Sequence, residues 1–372
     1  MNAQPIEPSV ADGPQLELPD ARLTNFIAHD GNSLAVLDWA LPKGVHPRGL
    51  VLIVHGLGEH AGRYNHVAER LSSWGFAVRG YDQHGHGESS GQPGALPTDT
   101  QLLDDLADLL DNTRRHTDPR VPLILFGHSL GGLVAARLVS LNMRKVEGLV
   151  LSSPALDAGM NPVQKLLVSV LPRIAPNLRV GNGLDPQYLS HEAQVVDAYR
   201  NDRLVHDRIS ARLARFIADA GPATLAAAGQ WRVPTLLLYA GQDRLVNPAG
   251  SRQFAAEAPP GVVEAVLSKR CTTKSSMRRS AKRCSHDSKC GWTAGSRRPE
   301  PEPPQRAASA RCFMASQISA SPVSATGSIE PMFSSAQPCV VTSAPEANEV
   351  NAMVANTQKL MAACARSFSS GL

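Results

Sequence analysis

Four strand-like segments constrain this chain more than any other feature: the continuous apolar run LVLIVHG (50–56), then FAVRGYD (76–82), VPLILFG (121–127) and VEGLVLSS (146–153). PTLLLYAG (234–241) and VVEAVL (262–267) extend the series. A strand that is apolar without alternation buries both faces, and that happens in parallel sheets covered by helices on each side. The intervening segments supply those helices. Tyr64, Val67, Ala68 and Leu71 share one helical stripe, and Leu102, Leu103, Leu106, Leu109 and Leu110 share another. Thr98 and Gln101 are spaced as a capping box for the second. The alternation predicts an α/β fold with a doubly wound, mostly parallel sheet. Its core would comprise residues 20–154 and 229–267. Residues 155–228 break the rhythm with PVQKLLVSVLPRIAP and a long helical stretch, and are expected to form an inserted helical cap (lid) over the carboxyl edge of the sheet.

Composition changes abruptly after Leu267. Residues 1–267 hold 23 Lys/Arg against 27 Asp/Glu, a net charge of −4, whereas residues 268–372 hold 14 against 6, a net of +8. All six cysteines (Cys271, Cys284, Cys290, Cys312, Cys339 and Cys364) fall in the second part, which has only 12 Leu, Ile, Val and Phe among 105 residues. So little apolar surface does not offset the entropy of ordering a chain, and the tail 268–372 is expected to be low-complexity, basic and disordered. No run of 18 apolar residues occurs, so no transmembrane helix is expected. The start MNAQPIEPSVADGPQ lacks the basic and apolar regions of a secretory signal, which favours a cytoplasmic location.

Gly127-His128-Ser129-Leu130-Gly131 is a G-x-S-x-G placed between a predicted strand and a predicted helix. That context is what a nucleophile elbow requires; a glycine-rich packing turn is the structural alternative. Attack by Ser129 would create an oxyanion needing two backbone N–H donors. Leu130 follows the nucleophile and Leu57 lies in the earlier loop HGLGEHAGRY (55–64), so their amides are the candidates. Asp243, in YAGQDRLVNP after a strand, is the candidate acid. Asp82 is its main rival, with a turn-fixing role as the other reading, while Asp185, Asp197 and Asp202 fall in the cap. His55 reads as a structural brace more readily than as a base.

HGLGEHAGRY, GYDQHGHGESSG, GHSLGG, YRNDRLVH and AGQDRLVNP together resemble the monoacylglycerol lipase and lysophospholipase-like branch of the α/β-hydrolases, bacterial type, from about residue 20 to residue 267. The resemblance implies hydrolysis of long-chain acyl esters, a lipid ester bound in an apolar channel under the cap, and no cofactor or metal. It makes Ser129 the nucleophile, Asp243 the acid, and Leu57 and Leu130 the oxyanion amides. Peripheral contact with a membrane surface fits that substrate class. A catalytically inactive lipid-binding protein and an acyltransferase are the alternatives.

The resemblance also implies a histidine in a Tyr-His-Glu-Ile-Phe-Asn-like phrase after the last strand, and that histidine is missing. The chain there reads SKRCTTKSSM, and the expected closing helix is missing too. Loss of resemblance and change of composition coincide, which points to a shift of reading frame. The genetic code tests this. Reading one base upstream, Cys271–Thr272 gives YAC, which encodes Tyr or His, and Thr272–Thr273 allows His. The following overlaps, through Ser276–Met277, allow Glu, Ile, Phe and Asn in order. A single T restored after the Leu267 codon also turns Leu267-Ser268-Lys269 into Leu-Phe-Glu. His286 is a poor substitute base, since nothing apolar anchors it. Cys284, His286 and Cys290 lack the paired spacing of structural zinc sites. The ten basic residues from Lys269 to Arg298 lack the aromatic interleaving of a specific nucleic-acid site before Trp292.

Overall fold

A computed structural model describes residues 21–189, 193–241 and 243–268. Eight strands form one sheet, in the spatial order β1 (Arg22–Ile27), β2 (Ser33–Trp39), β4 (Ala77–Tyr81), β3 (Leu50–Val54), β5 (Leu123–His128), β6 (Gly148–Ser152), β9 (Thr235–Ala240) and β10 (Val263–Ser268). From β4 to β10 every pairing is parallel, and the hairpin β1–β2 joins β4 antiparallel. The six strand-like segments are the six parallel strands, as the sequence predicts. The hairpin was not foreseen, because β1 is largely exposed, with Leu23 at 47% and Ile27 at 60%, and carries no continuous apolar run.

Side chains alternate across each strand, so every parallel strand feeds two apolar layers. Leu52, Val54, Leu125, Leu149, Leu151 and Leu237 face the layer shared with α2 (Gln101–Arg115), α3 (Leu130–Ser140), α6 (Ala211–Ala226) and α7 (Pro248–Glu257). Val51, Ile53, Ile124, Phe126, Val150, Leu236 and Leu238 form the opposite layer, with Val67, Ala68 and Leu71 of α1 (Asn65–Ser73).

The capping box expected from Thr98 and Gln101 does not form. The N-cap is Thr100, without a side-chain cap, and α2 starts at Gln101 itself. Gln101 is buried, and its amide donates instead to Asp30 (2.7 Å) and Asp105 (2.9 Å). Burial pushes Asp105 up to about 7, with the Gln101 hydrogen bond opposing that shift, while the Gln101 side-chain oxygen accepts from the Thr98 hydroxyl at 3.4 Å.

Between β6 and β9 lie α4 (Pro162–Ile174), α5 (Ala193–Asn201) and α6. The segment also contains a small antiparallel pair, β7 (Arg179–Gly181) with β8 (Arg208–Ser210), where sequence periodicity showed only helix. The amino end of α6 is capped by Ser210, whose hydroxyl accepts from the Leu213 N–H. Among the described residues no helix is long and apolar enough to cross a membrane.

Candidate active site

Ser129, Leu130, Leu57 and Asp243 all follow parallel strands at the carboxyl edge of the sheet, where open α/β sheets bind ligands. Ser129 follows β5 directly and has φ 50° and ψ −116°, a backbone conformation that costs about 1–3 kcal/mol in a non-glycine residue. Its N–H donates to Ser152 (2.9 Å), and its carbonyl accepts from Leu133 (3.1 Å) and Ala155 (3.0 Å). The motif glycines are there because nothing larger fits. A Cβ on Gly127 would lie 2.5 Å from the Gly131 carbonyl oxygen, and one on Gly131 would lie 2.1 Å from that of Val54. The sequence motif is therefore a true strand–turn–helix elbow.

Leu130 is the first residue of α3, so its N–H has no intrahelical acceptor. The loop after β3 approaches the same point: a Cβ on Gly56 would sit 3.4 Å from Ser129 Cβ. Leu57 comes next in that loop. Glu59, unforeseen in the sequence, shapes it. This buried carboxylate accepts from the Gly56 N–H (2.7 Å) and the Tyr64 O–H (2.6 Å) and lies 3.5 Å from Arg63 Nε. An acid four residues before a basic one, inside a loop following a buried strand, was the available signal.

His55 is a brace. Its Nε2 accepts from the Gln83 N–H (2.9 Å), which leaves Nδ1–H to donate to the Gly56 carbonyl (2.8 Å). Burial holds its pKa down to about 3, so it stays neutral with both nitrogens engaged. Asp82 is a turn-fixer, accepting from the Ala61 (2.7 Å) and Glu88 (2.9 Å) N–H groups. Asp202 bonds His60 (2.9 Å), lies 3.4 Å from Arg63 and accepts from Leu204 (3.0 Å). Asp185 caps a short 3-10 turn, and Asp197 is exposed on α5.

Asp243 follows β9, one strand beyond β6, so roughly 10 Å of sheet width separates its loop from that of Ser129. Its Oδ1 accepts from Leu245 (2.9 Å) and Val246 (3.0 Å), which fixes the carboxylate in a turn. Among the described residues no imidazole bonds to Ser129 or Asp243. The last paired residue of β10 is Ser268, in register with Ala240 of β9. The chain thus leaves β10 at the edge where Asp243 stands. The residues from 269 onward, including His286, Cys284 and Cys290, lie outside the described part. Among the described residues no group of three or more His, Cys, Asp or Glu is placed to hold a metal.

Comparison with known proteins agrees with the fold. Residues 45–271 match the Hydrolase_4 family, described as serine aminopeptidase, S33. A monoacylglycerol lipase of Mycolicibacterium smegmatis is 35% identical over 209 residues, covering 55% of this chain and 74% of that protein. An abhydrolase domain-containing protein of Dictyostelium discoideum is 34% identical over 64% of this chain, but the match spans only 25% of its own length. Among solved structures, the monoacylglycerol lipase of Paleococcus ferrophilus superposes with a TM-score of 0.55 at 33% identity, covering 67% of this chain and 88% of that one. The chain belongs to the Hydrolase_4 (serine aminopeptidase, S33) family, in its monoacylglycerol lipase-like branch of α/β-hydrolases.

Proposed function

We propose that this chain descends from a serine hydrolase that cleaves long-chain acyl esters of the monoacylglycerol or lysophospholipid type, and that it carries that enzyme's site without its general base. The observation that carries the reading is the strained Ser129 elbow with the Gly56–Leu57 loop packed beside it. Ser129 Oγ would attack the ester carbonyl, with the N–H groups of Leu57 and Leu130 receiving the oxyanion. Asp243 would orient an imidazole and stabilise its charged form. The alcohol leaves with a proton from that imidazole, and water then cleaves the acyl-enzyme. Residues 155–228 would act as the cap.

The missing base is attributed to one nucleotide lost after the Leu267 codon. The shifted phase continues to make structural sense beyond the histidine phrase. Arg283–Cys284 and Gly291–Trp292 each give NTG, which encodes only Leu, Met or Val. Cys284–Ser285 and Asp287–Ser288 allow Phe or Leu, and Cys290–Gly291 gives Arg or Trp. Lys289–Cys290 gives Met or Val as well, so the shifted phase allows apolar residues at 283, 284, 287, 289 and 291, a density the present frame lacks and one that a helix packed on a sheet can bury. The fold has a place for such a helix. The layer of Ile124, Phe126, Val150, Leu236 and Leu238 has α1 as its only described helix, and α1 packs on β4 and β2.

Lipid substrates also suit α4. Val163, Leu166, Leu167, Val170 and Ile174 form one stripe, all at least 43% exposed. This supports contact of the cap with a lipid surface. L166D/L167D is expected to reduce sedimentation with phosphatidylcholine vesicles by about tenfold, from the loss of two buried leucines at about 1.5–3 kcal/mol each offset by partial insertion. Unchanged sedimentation would remove α4 from the lipid contact.

The test of the function is a fluorophosphonate probe on the chain with the T restored, alongside Ser129→Ala. Labelling at Ser129 together with release of fatty acid from a long-chain monoacylglycerol supports the enzyme. Absence of labelling favours the inactive lipid binder, and ester formation with added alcohol favours the acyltransferase.

A further inference from the structure

The loop that carries Leu57 is held from both sides by histidines. A peptide unit joins the Gly56 carbonyl to the Leu57 N–H, so fixing one end of that plane aims the other. His55 Nδ1–H holds the Gly56 carbonyl at 2.8 Å. One residue on, the Gly58 carbonyl accepts from the backbone N–H of His206 at 2.9 Å, and His206 belongs to the cap. Gly58 has φ +74°, and a Cβ there would lie 2.3 Å from the His206 carbonyl oxygen, so the cap backbone rests directly on the loop.

His206 is itself pinned by its ring. Arg208 N–H donates to Nδ1 (3.2 Å), which leaves Nε2–H to donate to the Gly85 carbonyl (3.0 Å) in the turn after β4. The ring lies against His86 with centroids 4.7 Å apart and planes tilted by 43°, and the His86 centroid is 5.3 Å from that of His55. Three neutral imidazoles from three separate segments therefore meet behind the loop.

We propose that His206 is a positioning residue for the Leu57 amide, so that seating the cap and completing the oxyanion hole are one event. This rests on Leu57 being an oxyanion donor, as assigned above. The arrangement needs an uncharged ring, because a proton on Nδ1 displaces the Arg208 N–H and sets a cation against His86 and His55. Burial keeps His206 below the ordinary histidine range, with the Gly85 bond and Asp207 opposing that and Arg179 adding to it. Behind these rings, His55 also faces His60 and His128, and His86 faces Glu59.

The test uses the full chain and two probes, a long-chain alkyl boronic acid and the fatty acid of equal length. Ser129 Oγ–H adds to the boronic acid, forming a B–O bond and a tetrahedral anion and releasing a proton to solvent; the fatty acid stays planar and needs no oxyanion hole. His206→Ala is expected to weaken the boronate by about tenfold and the fatty acid by less than about twofold, since a misaimed oxyanion donor costs less than a deleted one. His206→Gln, which still donates to Gly85 but does not ionise, is expected to restore most boronate affinity. It should also hold that affinity better than the native chain as pH falls from about 7.5 to about 5.5. Equal weakening of both probes by His206→Ala, or a Gln variant that follows the native pH curve, overturns the proposal. Boronate affinity unchanged in Ser129→Ala overturns the esterase reading itself, a separate outcome.

Discussion

Restoring one T after the Leu267 codon is expected to raise hydrolysis of a long-chain monoacylglycerol by about 10⁴–10⁶, the usual cost of losing a triad member. The size follows from what remains without the base. The elbow holds Ser129, the Leu130 N–H has no intrahelical acceptor at the start of α3, and Asp243 is anchored by Leu245 and Val246. None of these removes the hydroxyl proton. An aliphatic hydroxyl is a weak nucleophile at neutral pH, and general-base assistance is the missing contribution. The restored histidine would leave β10 at the edge where Ser268 pairs with Ala240, three residues before Asp243. Its rate should follow a pKa near the ordinary histidine value, and replacing the restored histidine codon with one for Ala should return the rate to that of the unrestored chain. A restored chain that folds but gains no activity would remove the frame explanation, as would independent sequencing of codons 265–280 that supports the present phase in close relatives.

Acid should destabilise this fold between about pH 6.5 and pH 4. Burial depresses His55 to about 3 and His66 to about 4, and holds His86 well below the usual value. Below pH 6.5 the unfolded chain takes up protons on these rings that the folded chain excludes, so stability falls as pH falls. Two carboxyls act in the opposite sense. Asp105, raised to about 7, and Asp82, also raised by burial, keep protons when folded that the unfolded chain releases above about 4. Three rings against two carboxyls leave at least one extra proton on the unfolded side near pH 5. Each such proton is worth about 1.4 kcal/mol per pH unit. His66 is the cleanest member to remove, since neither ring nitrogen has a partner. His66→Gln is expected to lower the slope of unfolding free energy against pH by about one proton. Urea titrations at several pH values read this directly, and a flat profile, or a variant with the native slope, contradicts it.

The parallel strands were legible because burial on both faces leaves no alternation to confuse. Ser129 was legible because its strain demands small neighbours at fixed offsets. The β1–β2 hairpin was not, since an exposed edge strand needs no continuous apolar run. Thr98 failed as a cap because the helix starts at Gln101, behind Thr100, so the pair is out of position by two residues. Glu59 and His206 escaped for a different cause. Glu59 offered only a short-range signal, its i,i+4 spacing to Arg63, whereas the partners of His206 are backbone groups of distant segments, Gly58 and Gly85, which no spacing along the chain encodes.

The twisted backbone at Ser129 also carries a sense of time. A conformation at φ 50° and ψ −116° suits glycine, so Ser129→Gly is expected to raise the melting temperature, by an amount corresponding to about 1 kcal/mol. A melting temperature that stays level or falls would contradict this. An enzyme tolerates such a burden in exchange for turnover, whereas a chain without a base obtains nothing for it. Drift over many generations would erase the tension, as it would relax Gly127 and Gly131. All three are still in place, as expected if a base was lost from the gene only recently or from the read alone.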